Sequence, residues 1–124
     1  RICARGLQDK VLLPGHKRNI ATPYRAFDWV LIPSRAEGLG LIVQEAVIAG
    51  VPILASDLPV FQEQLGHAGL YVPVDDVQNW ASAIASTSNL AAGDVAARQY
   101  ATLAPEQAWR RFSQACDDVL SVRL

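Results

Sequence analysis

The sequence predicts an α/β architecture: a parallel sheet of about four strands with helices on both faces, followed by a segment built of helices only. Three observations carry this. Four short apolar runs bounded by Gly, Pro, Asp or Ser recur up to about residue 73. They are apolar at consecutive positions rather than alternating, as expected of strands buried on both faces. Between them, and throughout the chain after residue 73, apolar residues recur with helical period. With 124 residues, 51% of them hydrophobic and 19% charged, the chain has apolar material for one core, which excludes disordered, collagen-like and coiled-coil readings. No apolar run approaches the roughly 18 residues of a membrane span, because Pro33, Pro52, Pro59 and nearby charges interrupt each one.

Residues 1–7 read as the tail of a helix. Strands are expected in 10–15 (KVLLPG), 28–34 (DWVLIPS), 51–56 (VPILAS) and 69–73 (GLYVP). The helical run 41–49 ends at Gly50 and Pro52, where glycine accepts the left-handed conformation and proline forbids continuation. A shorter helix, 59–65, starts on Pro59, a residue suited to a first turn. Past the last strand, Asp75 or Asp76 can cap a helix whose Val77, Trp80, Ala81, Ile84 and Ala85 share one stripe. A further helix is expected at about 94–103. A last one starts at Pro105, with Trp109, Phe112, Cys116, Val119 and Leu120 on its buried face. The chain thus divides into a strand and helix part, about 1–73, and a helical tail, about 74–124.

Four strands make a thin sheet. In a Rossmann-like order 3-2-1-4-5-6 they would be strands 3, 4, 5 and 6, so two absent strands would separate the first from the second. That leaves an open strand edge and an apolar gap. The isolated chain is therefore expected to be unstable, or to fill the gap with another chain. The start at Arg1 and the absence of Met also point to a chain cut from a longer one.

The net charge of −1 conceals an asymmetry, +5 over residues 1–36 and −6 over 37–124. The basic stretch is too weak for duplex nucleic acid and reads either as a solvated surface or as a place for a small anion. Cys3 and Cys116 have neither metal-ligand nor redox spacing, so two free thiols are expected. The first fifteen residues contain no apolar signal-peptide core.

The segment richest in chemistry is PSRAEGLGLIVQEAVIAGVP, residues 33–52. A strand end is followed by a loop with two glycines and a helix starting near Gly40 or Leu41. Such a loop presents backbone N–H groups and the positive end of a helix dipole to an anion above the carboxyl edge of the sheet. Glu37 sits in the loop, and Glu45 lies eight residues on, inside an otherwise apolar helix. A carboxylate there is costly unless it faces a polar cleft or finds a donor. Two acceptors flanking an anion site suit a ligand with hydroxyls at both ends and phosphate in the middle, the layout of a nucleotide sugar. The plainer alternatives are a surface glutamate in a local ion pair for Glu45 and an ordinary loop carboxylate for Glu37.

These residues resemble the donor-binding signature of retaining glycosyltransferases of the GT-B fold, the family 4 or glycosyl transferases group 1 kind. That family carries a Pro-Ser strand end, a Glu-Gly-Phe-Gly-Leu loop, a second Glu eight residues on, then Gly, a Pro-Val-Val-Ala-Ser strand and a further Glu. Here these read Pro33-Ser34, Glu37-Gly38-Leu39-Gly40-Leu41, Glu45-Ala46, Gly50, Pro52-Ile53-Leu54-Ala55-Ser56 and Glu63. VLLPGH, FDWVLIPS and GLYVPVDD extend the likeness over nearly the whole chain. Leu39 replaces the usual aromatic, Val47-Ile48 replace Met-Ala, and Leu58-Pro59 stand where many members have Gly-Gly.

The resemblance implies part of a C-terminal, nucleotide-sugar-binding domain. Glu37 would act at the reacting sugar and hold its hydroxyls, with Gly38 in the same loop. The amides of Gly40 and Leu41 would meet the distal phosphate, and Glu45 the ribose hydroxyls. The main chain at Gly15 and His16 would lie near the base, assisted by Arg18, although His16 reads equally as an exposed turn histidine. The implied reaction transfers a sugar from a nucleotide sugar to a hydroxyl acceptor with retention, with no metal and no cofactor. The acceptor, a glycan or lipid-linked group, would bind through an N-terminal domain, for a bacterial surface polysaccharide or similar glycan. The expected location is the cytoplasm or the inner face of the membrane. An Arg and a Lys that clamp the pyrophosphate in this family would precede Arg1, so the chain alone is expected to be inactive. Alternatives are a non-catalytic nucleotide-sugar-binding module completed by another chain and a sugar-nucleotide epimerase of the same fold. The second is disfavoured by the paired Glu signature.

Overall fold

The computed structural model describes residues 2–15 and 24–121. Three strands, β1 (Val30–Ile32), β2 (Ile53–Ser56) and β3 (Leu70–Val72), alternate with α1 (Leu41–Ile48) and α2 (Pro59–Leu65). Three helices follow: α3 (Val77–Ser86), α4 (Ala92–Leu103) and α5 (Pro105–Ser121). The sheet is parallel in the order β1-β2-β3, with Val30 opposite Ile53 and Leu54 opposite Leu70.

This register sorts the side chains by face, since alternate residues of a strand point to opposite sides. Val30, Ile32, Ile53 and Ala55 share one face. They are buried with Val43, Ala46 and Val47 of α1 and with Phe61 and Leu65 of α2, and these residues form the core. On the other face Leu54, Ser56 and Val72 are buried, while Leu31 on β1 is 41% exposed. This second face is covered over β2 and at Val72 of β3 and is less covered at β1.

The strand expected at 10–15 does not form, so the sheet has three strands among the described residues instead of about four. Leu12 is 85% and Leu13 76% exposed, and Val11 N–H turns back to the Leu7 carbonyl. An apolar run becomes a buried strand only where neighbours supply ladder partners, and among the described residues none pairs with this one. The β1-β2-β3 order is what strands 4, 5 and 6 of the Rossmann-like order require. The helix tail expected at 1–7 is a single 3₁₀ turn, Cys3–Arg5, ended by Gly6.

Helix ends agree with their local chemistry. Gly50 closes α1 in the left-handed region at φ 77, and Pro59 occupies the first turn of α2. Asp76 caps α3 by accepting from Asn79 N–H at 3.0 Å.

The expected buried stripe of α3 is not buried: Val77 is 72% and Ile84 43% exposed, and Trp80 is half-buried. Amphipathic period marks a face that wants a partner but does not supply one. Of the stripe on α5, Trp109 is 68% exposed and Cys116 is exposed. The side chains of Phe112, Val119 and Leu120 lie outside the described residues.

α4 packs against α1 and α2 and buries Val95, Ala96 and Gln99. Gln99 is fully buried, and its amide accepts from Ile53 N–H and donates to Ile53 C=O, both at 2.9 Å. Val30 N–H bonds the Pro52 carbonyl, so the Ile53 peptide groups face the β3 side, where β3 begins only opposite Leu54. The glutamine carboxamide stands in for the missing strand peptide, which satisfies two buried backbone groups.

Candidate functional site

The loops leaving β1, β2 and β3 all open at the carboxyl edge of the sheet, where open α/β sheets place ligands. The first of them, 33–40, is held from two sides. Arg35 Nε donates to Asp75 Oδ1 at 2.7 Å, tying it to the loop after β3. Both side chains are exposed, so the pair fixes position more than it stabilises. Nearer the helix, Gln64 Nε2 of α2 donates to the Leu39 carbonyl at 2.8 Å. The Gln64 Oε1 atom is buried without a hydrogen-bond partner, so this amide holds the loop by its donor end alone.

Gly40 shows why glycine stands there. Its φ of 59 lies in the left-handed region, and a Cβ would sit 2.6 Å from Gln64 Nε2. The helix begins at Leu41 with no side-chain cap and no acidic residue in its first turn. Its leading N–H groups, and the positive end of its dipole, are left for an anion.

Glu37 is exposed, and its Oε1 accepts from the next residue's N–H, Gly38, at 3.0 Å. Glu45 is exposed too, on the side of α1 opposite Val43, Ala46 and Val47. It is therefore not a buried carboxylate within an apolar helix; helical geometry turns it outward while its neighbours face the core. Its Oε2 accepts from Tyr24 Oη at 2.8 Å. Burial first, then this hydrogen bond and the charge of Glu45, push the Tyr24 phenol up to about 12, so it stays a neutral donor through the physiological range.

Glu37, Gly38, Gly40, Leu41 and Glu45 thus lie on one loop and helix unit at the carboxyl edge of β1. Gly15 is exposed with φ 68. His16 and Arg18 lie outside the described residues. Tyr24 and Gln64 were not legible in advance as parts of the site. Nothing in their spacing links them to Glu45 or Leu39, which are 21 and 25 residues away. Among the described residues no three His, Cys, Asp or Glu side chains gather where a metal could sit. No helix of the described residues is long and apolar enough to cross a membrane.

The model of a known family, glycosyl transferases group 1, matches residues 1–89. The chain belongs to that family. The lipopolysaccharide core biosynthesis mannosyltransferase of Rhizobium meliloti is 37% identical over 90 residues, covering 69% of this chain and 26% of that protein. A D-inositol 3-phosphate glycosyltransferase from Saccharomonospora viridis is 32% identical over 120 residues, covering 92% of this chain and 28% of that protein. Among solved structures, sucrose-phosphate synthase from Thermosynechococcus elongatus superposes with a TM-score of 0.76 at 25% identity, over 98% of this chain and 33% of that one. The fold is of the GT-B kind. The chain spans about a quarter to a third of the length of these relatives.

Proposed function

We propose that this glycosyl transferases group 1 chain supplies the nucleotide-sugar site of a retaining glycosyltransferase acting on a hydroxyl acceptor. The observation that carries it is the uncapped start of α1 behind left-handed Gly40, at the carboxyl edge of the sheet. The N–H groups of Gly40 and Leu41 meet the distal phosphate. Glu37 holds hydroxyls of the transferred sugar at the reacting end, with Gly38 in the same turn. Glu45 takes the ribose, and the backbone at Gly15 and His16, with Arg18, lies toward the base. Fixed dipoles aimed at the diphosphate stabilise charge as it departs, the main contribution asked of the protein. No metal or cofactor enters this reading.

The relatives named as mannosyltransferases of lipopolysaccharide core and of O-antigen chain support a hexosyl donor and a glycan acceptor. In a second reading the chain is a non-catalytic binding module completed by another chain, or by self-association. The unpaired edge of β1 among the described residues, with Leu31 partly exposed, favours completion by another chain.

A thermal-shift panel of uridine, guanosine and adenosine diphosphates and their sugars, on the protein that carries this chain, tests the main reading. One nucleotide should raise Tm in the wild type and not in Glu45→Ala; equal shifts in both sink the assignment. Glu37→Gln should reduce turnover more than nucleoside diphosphate binding, and equal loss of both contradicts its role at the sugar.

A further inference from the structure

A carboxylate on a solvent-facing helix is a poor receptor until its rotamer is fixed. The Glu45 side chain has three rotatable bonds, and ordering such a chain costs rotamer entropy. Glu45 stands on the outward side of α1, a helix with no basic residue, and among the described residues no cation pairs with it. What it does have is the Tyr24 hydroxyl at 2.8 Å on Oε2. Tyr24 begins the 3₁₀ turn Tyr24–Ala26, and its ring packs against the core that also receives Val43, Ala46 and Val47 of α1. The ring is therefore anchored by the same packing that anchors the helix backbone. A rigid aromatic stem carries the donor, and the long flexible side chain is the acceptor.

We propose that Tyr24 is a positioning residue of the nucleotide site: its hydroxyl holds one oxygen of the Glu45 carboxylate so that the other is aimed at a ribose hydroxyl before the ligand arrives. This rests on the reading of Glu45 as the ribose acceptor. A tyrosine suits the task better than an arginine or lysine. A cation would compete for the carboxylate charge and for its second oxygen, whereas a neutral donor occupies one lone pair and leaves the charge intact. The gain is preorganisation, so it belongs to binding and not to the chemical step.

The test is a double-mutant cycle read as Kd by calorimetry, on the protein that carries this chain. The probe is whichever of uridine, guanosine or adenosine diphosphate binds most tightly. Tyr24→Phe keeps the ring and its packing and removes only the hydroxyl. It should raise Kd about 3- to 10-fold, within the net worth of one ordinary intramolecular hydrogen bond. In turnover the same variant should raise KM with kcat nearly unchanged. In a Glu45→Ala background, Tyr24→Phe should add nothing, whereas a tyrosine that merely supports the fold would weaken binding in both backgrounds. Glu45→Asp, an exposed change that keeps the charge but shortens its reach to Tyr24 and to the ribose, should lose at least as much as Tyr24→Phe, and in that background Tyr24→Phe should add little. If Glu45→Ala weakens binding while Tyr24→Phe and Glu45→Asp do not, positioning by Tyr24 is wrong and the ribose reading survives. If Glu45→Ala also leaves Kd unchanged, the ribose reading falls, and the proposal with it.

Discussion

The region from β1 to β3 and the helices after it respond differently to the same kind of sequence signal. In the first, apolar runs and helical stripes meet one another, and Phe61, Leu65, Val43 and Ile53 are fully buried. In the second, the stripes of α3 and α5 are as regular, yet Val77 and Trp109 face solvent. Burial is a property of a pair of surfaces, whereas periodicity describes only one of them. α4 shows the boundary between the two cases. It docks because α1 and α2 offer it a surface and because Ile53 offers Gln99 two unpaired peptide groups.

The largest expected effect tests that contrast directly. Phe61→Ala should destabilise by about 3–5 kcal/mol in urea denaturation, the loss of transfer energy plus a cavity. Val77→Ala, on the exposed stripe of α3, should cost less than about 1 kcal/mol, as for a surface substitution. Similar losses for the two would mean that this face of α3 is packed in solution and the contrast is false.

Next comes Gln99→Leu, which keeps the volume but strands the N–H and C=O of Ile53. About 2–4 kcal/mol of destabilisation is expected, from two buried groups at 1–3 kcal/mol each. A neutral outcome would show that water or β3 reaches Ile53 and that α4 is not tied to the sheet.

Gly40→Ala should cost about 1–2 kcal/mol for a left-handed residue that gains a Cβ. It should also displace Gln64, whose Nε2 lies where the methyl group would go. Nucleoside diphosphate affinity should fall with it, because the Leu39 carbonyl would lose its donor and the start of α1 would shift. Unchanged affinity would separate the loop from anion binding.

The smallest effect is a pH dependence. The Tyr24 phenol is raised from 10.0 to about 12, so the folded state keeps a proton that the unfolded chain releases earlier. Its stabilising contribution is complete below pH 10 and is lost as pH rises toward 12. Tyr71 is raised by burial, with the charge of Asp57 adding to it, so both phenols should ionise late in an absorbance titration. Glu45→Gln should bring only the Tyr24 transition down, and part of the shift should persist, because burial is its first cause. A titration identical to wild type would show that the Tyr24 and Glu45 side chains do not meet in solution.

Much of the fold was legible because its signals are local. Pro59, Gly50 and Asp76 mark helix ends through the conformations and donors of their own backbone neighbours, and each sits where those rules put it. The loop of Glu37, Gly38 and Gly40 followed by α1 was legible for the same reason, since all of its parts lie within one stretch of chain. The run at 10–15 forms no strand for the opposite reason: a strand is completed by its neighbours, and among the described residues no strand pairs with Leu12 and Leu13. Glu45 was recognised as unusual, but its exposure could be seen only once the orientation of α1 was known.

Local sequence chemistry set the class of fold, the order of β1, α1, β2, α2 and β3, the turns between them, and the glycine loop that leads into α1. These depend on φ, on side-chain period and on capping over a few residues. Only the tertiary structure decided which stripes are buried, that Gln99 completes the ladder at Ile53, that Gln64 holds the loop at Leu39, and that Tyr24 reaches Glu45. Each of these joins residues more than twenty positions apart, and contacts at that range are fixed by how the elements pack, which no local pattern records.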